Sequence, residues 1–466
     1  MSPSRVAVVG AGPAGFYTAE QLLKEGFEVD LIDALPTPFG LVRAGVAPDH
    51  PKIKSVTRMY EKTAAREGFR FFGGIELGGD IERDDLLERY HAVVYAVGTA
   101  DDNRLGIEGE DRPGSHAATE FVAWYNGHPA YADREFDLSA TRAVVIGNGN
   151  VAIDVARMLV LDPDELAVTD TADHALEALG AAQVAHVTVL GRRGPAQAAF
   201  TNPELRELGE LQRADVIVDP AEIELDEHSA AWLEADGDPT AKRNVEMLRE
   251  YARREPSGKS HQIELRFLRS PLEVIGDEQN GGAVRGLRVV RNEILRDDAT
   301  GALRARSTGV EEVLQCGLVL RSIGYRGRAL PGVPFDERRG LIRNDGGRVQ
   351  DEDGETLRGE YAVGWIKRGP SGVIGTNKKD AADTVAKVLA DAEAGALNEP
   401  AQPDAEAIEG WLRERVPGLV TWNGWQAIDE HETGLGGPLG RPRVKLVRVP
   451  DMIAVAEAPV GARSRG

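Results

Sequence analysis

The chain contains one cysteine, Cys316, in 466 residues. An intrachain disulfide needs two thiols, a Cys-x-x-Cys redox pair also needs two, and a conventional iron–sulfur cluster needs about four ligands. Electrons handled by this chain must therefore travel on a cofactor that cysteine does not hold. Long apolar runs are missing as well. No stretch of about 18 apolar residues occurs, and no extended apolar segment precedes a cleavage site near the N-terminus. The expected location is the cytoplasm, with no integral membrane segment. Positive charge is scarce: 55 Lys and Arg stand against 76 Asp and Glu, a net charge of −21. Nucleic-acid binding rests on basic side chains displacing counterions, so nucleic acid is not an expected partner.

What is present reads as a soluble globular chain, 42% hydrophobic and 28% charged, long enough for about two to four domains. Arg5-Val6-Ala7-Val8-Val9 is a short apolar run that ends in glycines. Helical spacing follows over 16–24, and a second apolar stretch over 27–33 completes a βαβ unit. The pattern restarts at 142–146, again running into glycines, with a helix over 151–160 and a strand over 184–190. Two similar strands that close on glycine, 92–99 and 318–325, bracket this second unit as crossovers between domains would. The expected architecture is α/β, with two Rossmann-like dinucleotide-binding domains, the second inserted in the first. Residues 1–102 and 323–466 would form one domain and 103–322 the other. The charged stretches 226–242 and 277–282 read as surface loops.

Gly10-Ala11-Gly12-Pro13-Ala14-Gly15 matches G-x-G-x-x-G between a strand and a helix. In that context the glycines permit a tight turn and a close backbone approach to a pyrophosphate seated on the helix N-terminus. Asp33 closes the next strand, 18 residues past Gly15, near the spacing of a carboxylate that binds a ribose diol. The second turn, Gly147-Asn148-Gly149-Asn150-Val151-Ala152, is a GxGxxA variant. Its following strand ends in Arg192 and Arg193, with no acid. Guanidinium groups bind a 2′-phosphate that a carboxylate would repel, so this unit is expected to prefer NADPH. One acid-tipped and one arginine-tipped site point to FAD in the first, NADP(H) in the second, and a flavoprotein reductase. No metal site is expected.

Longer segments go beyond these general signals. They are 38–51 (PFGLVRAGVAPDHP), 147–157 (GNGNVAIDVAR), 191–195 (GRRGP), 204–208 (ELREL) and 364–374 (GWIKRGPSGVI). Together they resemble the adrenodoxin reductase family of NADPH–ferredoxin reductases, from Val6 to about Val385 and again in the tail at Trp422 and 440–442. The resemblance implies a two-domain fold of the glutathione-reductase type and a ferredoxin, or a similar small iron–sulfur protein, as electron acceptor. It implies FAD contacts at Ala14, Asp33, Leu41, Ile81, Trp365, Gly372, Val373 and Ile374. It implies NADP contacts at Asn148, Gly149, Asn150, Val151, Arg192, Arg193, Glu204 and Gly372. Asp33 departs from the longer glutamate common in the family, and a shorter carboxylate still reaches a ribose.

Two residues stand as catalytic candidates. His50, held between Pro48 and Pro51, carries an imidazole, a side chain suited to proton exchange, and Asp154 is a carboxylate among apolar neighbours just after the second turn. Hydride transfer itself needs no general acid, so a positioning role stands equally open for both. Glu207, three residues after Glu204, reads as a solvated helix face, and Trp422, Trp425 and Cys316 read as packing residues. Two other functions also remain open at this point: a diaphorase reducing quinones or other small acceptors, and a low-turnover interaction protein that binds FAD and NADPH.

Overall fold

The computed structural model describes residues 3–235 and 237–458. They divide into two compact units. One holds the described residues up to Asp102, Asn126–Ala132 and those from Gly324 on, and the other holds Asn103–Tyr125 and Asp133–Ile323. The short piece 126–132, expected with the second domain, groups with the first.

The first unit is built on an eight-stranded sheet. Its parallel centre runs in the order Phe69–Gly73, Glu28–Asp33, Arg5–Val9, Ala92–Tyr95, Thr356–Ala362. Antiparallel strands close it at the edges, Val420–Thr421 on one side and Arg348–Gln350 followed by Asn344–Asp345 on the other. Val6 and Val8 face one core with Phe16, Leu31 and Val94, whereas Ala7 and Val9 face another with Ile32, Val93 and Tyr95. Strands covered on both faces need apolar residues at every position, which is why the segment reads as a continuous run and not as an alternation. The chain leaves Arg5–Val9 toward Glu28–Asp33 on one side and later returns to Ala92–Tyr95 on the other. This reversal opens the crevice at the end of Arg5–Val9 where the first glycine turn sits. Tyr325 and Arg326 pair antiparallel with Asp102 and Asp101, so the two crossing segments lie side by side.

The second unit has a six-stranded parallel sheet in the order Ser115–Ala117, Leu318–Arg321, Arg142–Ile146, His186–Leu190, His261–Arg266, Ala214–Val218. A separate antiparallel sheet joins Arg269–Asp277, Ala283–Arg296 and Leu303–Gln315. The tip between its first two strands is a single turn at Glu278–Asn280, a surface loop as expected. The other expected loop is not one. Glu227–Ala235 is a helix, with Asp226 Oδ1 accepting from Ser229 N at its start, and Pro239–Ala252 is a second. The first buries only Ser229. A helix facing water on nearly every side needs no apolar stripe, so its sequence shows none to read.

Among the described residues no helix is long and apolar enough to cross a membrane. Cys316 is buried, and burial pushes its thiol up to about 12, so it stays protonated and unreactive at neutral pH.

Candidate dinucleotide sites

The first glycine turn is shaped by backbone crowding on either side of an open centre. At Gly10, with φ of 112°, a Cβ would stand 2.5 Å from Ala96 O, and at Gly15 it would run into the Gly10 carbonyl. At Gly12 a Cβ would meet nothing within 4 Å. The outer glycines thus make the turn and the helix packing, while the middle one faces free space, as a pyrophosphate cradle requires. The helix Pro13–Lys24 follows, with proline in its first turn, where no N–H is needed.

Asp33 ends its strand beside this turn. Its Oδ2 accepts from Ala11 N at 2.6 Å and its Oδ1 from Leu35 N at 2.9 Å. Burial raises the carboxyl from 3.8 to about 6, against the Leu35 and Ala11 N–H groups, which lower it. Each oxygen has a second lone pair, so two main-chain bonds leave acceptor capacity for a ribose hydroxyl.

Other expected FAD contacts gather from distant parts of the chain. Gly364, at φ 78°, would place a Cβ 2.6 Å from the Ala14 side chain, so the segment that carries Trp365 lies on the start of the first helix. Trp365 Nε1 donates to Ser371 O at 3.2 Å. Val373 N donates to Thr376 Oγ1, which brings Gly372, Val373 and Ile374 to the N-terminus of the helix Thr376–Glu393. Asp380, absent from the sequence reading, organises this segment: its Oδ2 accepts from Gly364 N at 2.6 Å, and its Oδ1 pairs with Lys367 Nζ at 2.9 Å. Leu41 is partly exposed at the start of the short helix Leu41–Ala44. His50 is partly buried at the start of Pro51–Lys54, its Nε2 3.8 Å from Asp49 Oδ1. Ile81 is fully buried in the core cluster of Val9 and Ile32, and its carbonyl accepts from Gly78 N.

The second turn repeats the same logic. At Gly147, φ 137°, a Cβ would strike the Ser322 carbonyl, whereas at Gly149 it would meet nothing. Asn148 O accepts from Ala199 N at 2.9 Å and Asn150 Oδ1 from Thr201 N at 2.8 Å. These bonds tie the turn to the helix Asn202–Leu208, which carries Glu204, itself held by the Thr201 hydroxyl. Asn148 Nδ2 is buried, has no hydrogen-bond partner among the described residues and lies against Gly191. Next to it Arg192 and Arg193 follow the strand His186–Leu190. Among the described residues neither guanidinium has a carboxylate partner, and burial together with the Arg192 charge lowers Arg193. Two adjacent cations and an unused amide donor fit an anionic ligand.

The arginine turn is braced by residues without a local sequence signal. Asn292 Nδ2 donates to Arg192 O at 2.8 Å, and Leu268 N donates to Arg193 O at 3.1 Å. Leu268 holds a positive φ of 56°, a strained conformation for leucine that surrounding contacts must maintain.

Asp154 lies on the helix Asn150–Val160 and pairs with Arg157 at 3.0 Å, and Arg157 also pairs with Glu207 at 2.6 Å. The Arg157 side chain is only 2% exposed. Asp154 and Glu207 therefore share one buried cation and join two helices. Asp154 is thus an ion-pair partner, and Glu207 is one as well as a half-exposed residue.

Comparison with known proteins agrees with this geometry. The model of the pyridine nucleotide-disulphide oxidoreductase family matches residues 4–208. The NADPH-ferredoxin reductase FprA of Mycobacterium leprae is 49% identical over 460 residues, 97% of this chain and 98% of the relative. The mitochondrial NADPH:adrenodoxin oxidoreductase of Arabidopsis thaliana is 40% identical over 472 residues, covering 97% and 95%. The solved structure of Mycobacterium tuberculosis FprA in complex with NADPH superposes with a TM-score of 0.91 at 48% identity, over 98% of this chain and 100% of that one. Near-full-length identity at this level, on a chain with two glycine turns of opposite strand-end chemistry, establishes that it belongs to the adrenodoxin reductase family of NADPH–ferredoxin reductases.

Proposed function

We propose that the chain is an FAD-dependent NADPH:ferredoxin oxidoreductase that delivers electrons to a small iron–sulfur protein. The observation that carries this reading is the pair of open-centred glycine turns, one beside the Asp33 carboxylate and the other beside two guanidinium groups that have no carboxylate partner among the described residues. Asp33 and the Gly12 backbone hold the ribose and pyrophosphate of FAD, with Leu41, Ile81, Trp365 and 372–374 along the rest of the cofactor. Arg192 and Arg193 hold the 2′-phosphate of NADPH, with 148–151 on its pyrophosphate and Glu204 on the nicotinamide side. FAD, when bound, accepts a hydride from NADPH and releases electrons one at a time, which is what an iron–sulfur acceptor requires. The chain's own part is to bind both nucleotides and set the charge around them. The N-terminus of Thr376–Glu393, preceded by glycines, offers N–H groups and a dipole that favour negative charge on a bound ring. His50 lies among the residues assigned to FAD and holds the cofactor in place. Turnover with ferredoxins and with quinones of matched potential tests the assignment. A higher kcat/KM for ferredoxin is expected, and preference for quinones would make the protein a diaphorase.

The Asp33 carboxyl adds a pH dependence. Its value is raised in the fold, so its contribution to apoprotein stability is largest at low pH and falls as pH rises through about 6. Ribose binding needs the ionised acceptor and runs the other way. FAD retention, measured by gel filtration across this range, should weaken below about pH 6 in the native protein. In Asp33→Asn that pH dependence should flatten.

A ferredoxin is acidic, and so is this chain, so docking needs a local basic face. The helix Pro239–Ala252 offers one. Arg243 is taken by Glu246 and Glu250, but Arg249 and Arg253 are exposed and make no ion pair among the described residues. Reversing both to glutamate should raise the KM for ferredoxin by roughly tenfold at low salt and flatten its salt dependence. NADPH-to-ferricyanide activity, which needs no docking face, should stay normal. Unchanged ferredoxin kinetics would move docking to other arginines, such as Arg206 or Arg213.

A further inference from the structure

The segment 39–46 is held in a conformation that its own sequence does not favour. Phe39 has a positive φ of 85°, which among the described non-glycine residues only Leu268 shares. An L residue stays there only when its surroundings hold it. Phe39 N donates to Ala11 O at 2.8 Å, and a Cβ on Gly40 would stand 3.0 Å from Gly12 Cα. The strained segment therefore lies directly on the first glycine turn.

The grip on this segment comes from the far end of the chain. The Phe39 ring meets Trp425 edge-on at 5.5 Å. Arg43 donates from both terminal nitrogens to Glu432, at 2.8 and 2.6 Å, and its guanidinium lies 5.4 Å from the Trp425 ring centre. Lys445 Nζ donates to the Arg43 carbonyl at 3.2 Å. The Glu432 side chain is 0% exposed and also accepts from Arg443 Nη1 at 3.1 Å and Leu446 N at 2.8 Å. Burial would raise this carboxyl, but Arg43, Arg443 and the Leu446 N–H together hold it below its ordinary value. Glu432 is enclosed by protein and cannot itself reach a ligand.

We propose that the helix Trp422–Gly436 acts through the Arg43–Glu432 pair as a clamp that keeps 39–46 closed on the glycine turn, and that Glu432 is a positioning residue for FAD. The inference rests on the assignment of FAD to this turn. Its test uses the holoprotein with Glu432→Gln, Arg43→Met, the double variant, and Arg43→Lys, which keeps the charge but loses the two-point grip. The control is Asp391→Asn, which breaks another ion pair of the same unit, Arg348 with Asp391, on an outer strand of the sheet and the last turns of the helix Thr376–Glu393.

The readouts are FAD dissociation constant, visible circular dichroism of the bound flavin, unfolding temperature and NADP⁺ affinity. Glu432→Gln and Arg43→Met should each weaken FAD binding about tenfold or more and alter the flavin dichroism. The double variant should be no worse than the weaker single one, because both act through one contact. NADP⁺ affinity should hold, and the control should lose stability without losing FAD affinity. Should Glu432→Gln fail to fold, Arg43→Lys carries the test, with a loss of about threefold. Native FAD affinity and dichroism in Arg43→Met, or equal FAD loss in the control at equal loss of stability, would overturn the clamp. Failure of the native protein to bind FAD would overturn the functional reading instead.

Discussion

Replacing Arg192 and Arg193 together with alanine is expected to weaken NADPH binding by about 100-fold or more, and NADH binding by no more than about threefold. The two guanidinium groups sit side by side, without carboxylate partners among the described residues, and burial together with the Arg192 charge lowers Arg193. A 2′-phosphate relieves that repulsion and gains charge-assisted bonds worth roughly 1.5–3 kcal/mol each, and NADH has no such group. Exposure of Arg192 places the total near the lower end of that range, hence the hundredfold figure. The loss of side chains should leave the turn itself in place, since Asn292 and Leu268 hold it through the Arg192 and Arg193 carbonyls. Fluorescence titration with both nucleotides measures the ratio. Equal losses for NADPH and NADH would remove the assignment of this unit.

The second large effect concerns Gly12. A valine there should fold, because a Cβ at that position meets no atom within 4 Å, yet it should abolish FAD retention by filling the space the pyrophosphate needs. Alanine at Gly10 or Gly15 should behave differently, since each would drive a methyl group into a backbone carbonyl and compromise the fold itself. The expected result is a colourless Gly12→Val protein with a cooperative unfolding transition and intact NADP⁺ binding. Recovery of that variant with full flavin content would contradict the placement.

Much of this was legible because the relevant groups are local. Each glycine turn, its strand and its helix lie within about 20 consecutive residues, and Asp33 and Arg192 are found by counting to the end of the next strand. The buried parallel strands show themselves as apolar runs for the same reason. Contacts between distant residues left no such trace. Arg43 and Glu432 are 389 residues apart in sequence, and Asn292 braces Arg192 across 100, with no periodicity to announce either pair. Asp154 showed another limit: its neighbours in sequence are apolar, but one turn along its helix stands Arg157, whose buried charge claims it. The exposed helix Glu227–Ala235 passed for a loop because it buries almost nothing and so carries no stripe.

Electrons enter from NADPH onto FAD held by this one chain. Anaerobic stopped-flow mixing of the purified yellow protein with NADPH tests it most directly. The expected result is rapid bleaching of the visible flavin band, at a rate no slower than ferredoxin turnover, with NADH far less effective at the same concentration. A flavin that stays oxidised over many turnover times, or that NADH bleaches equally well, would contradict it.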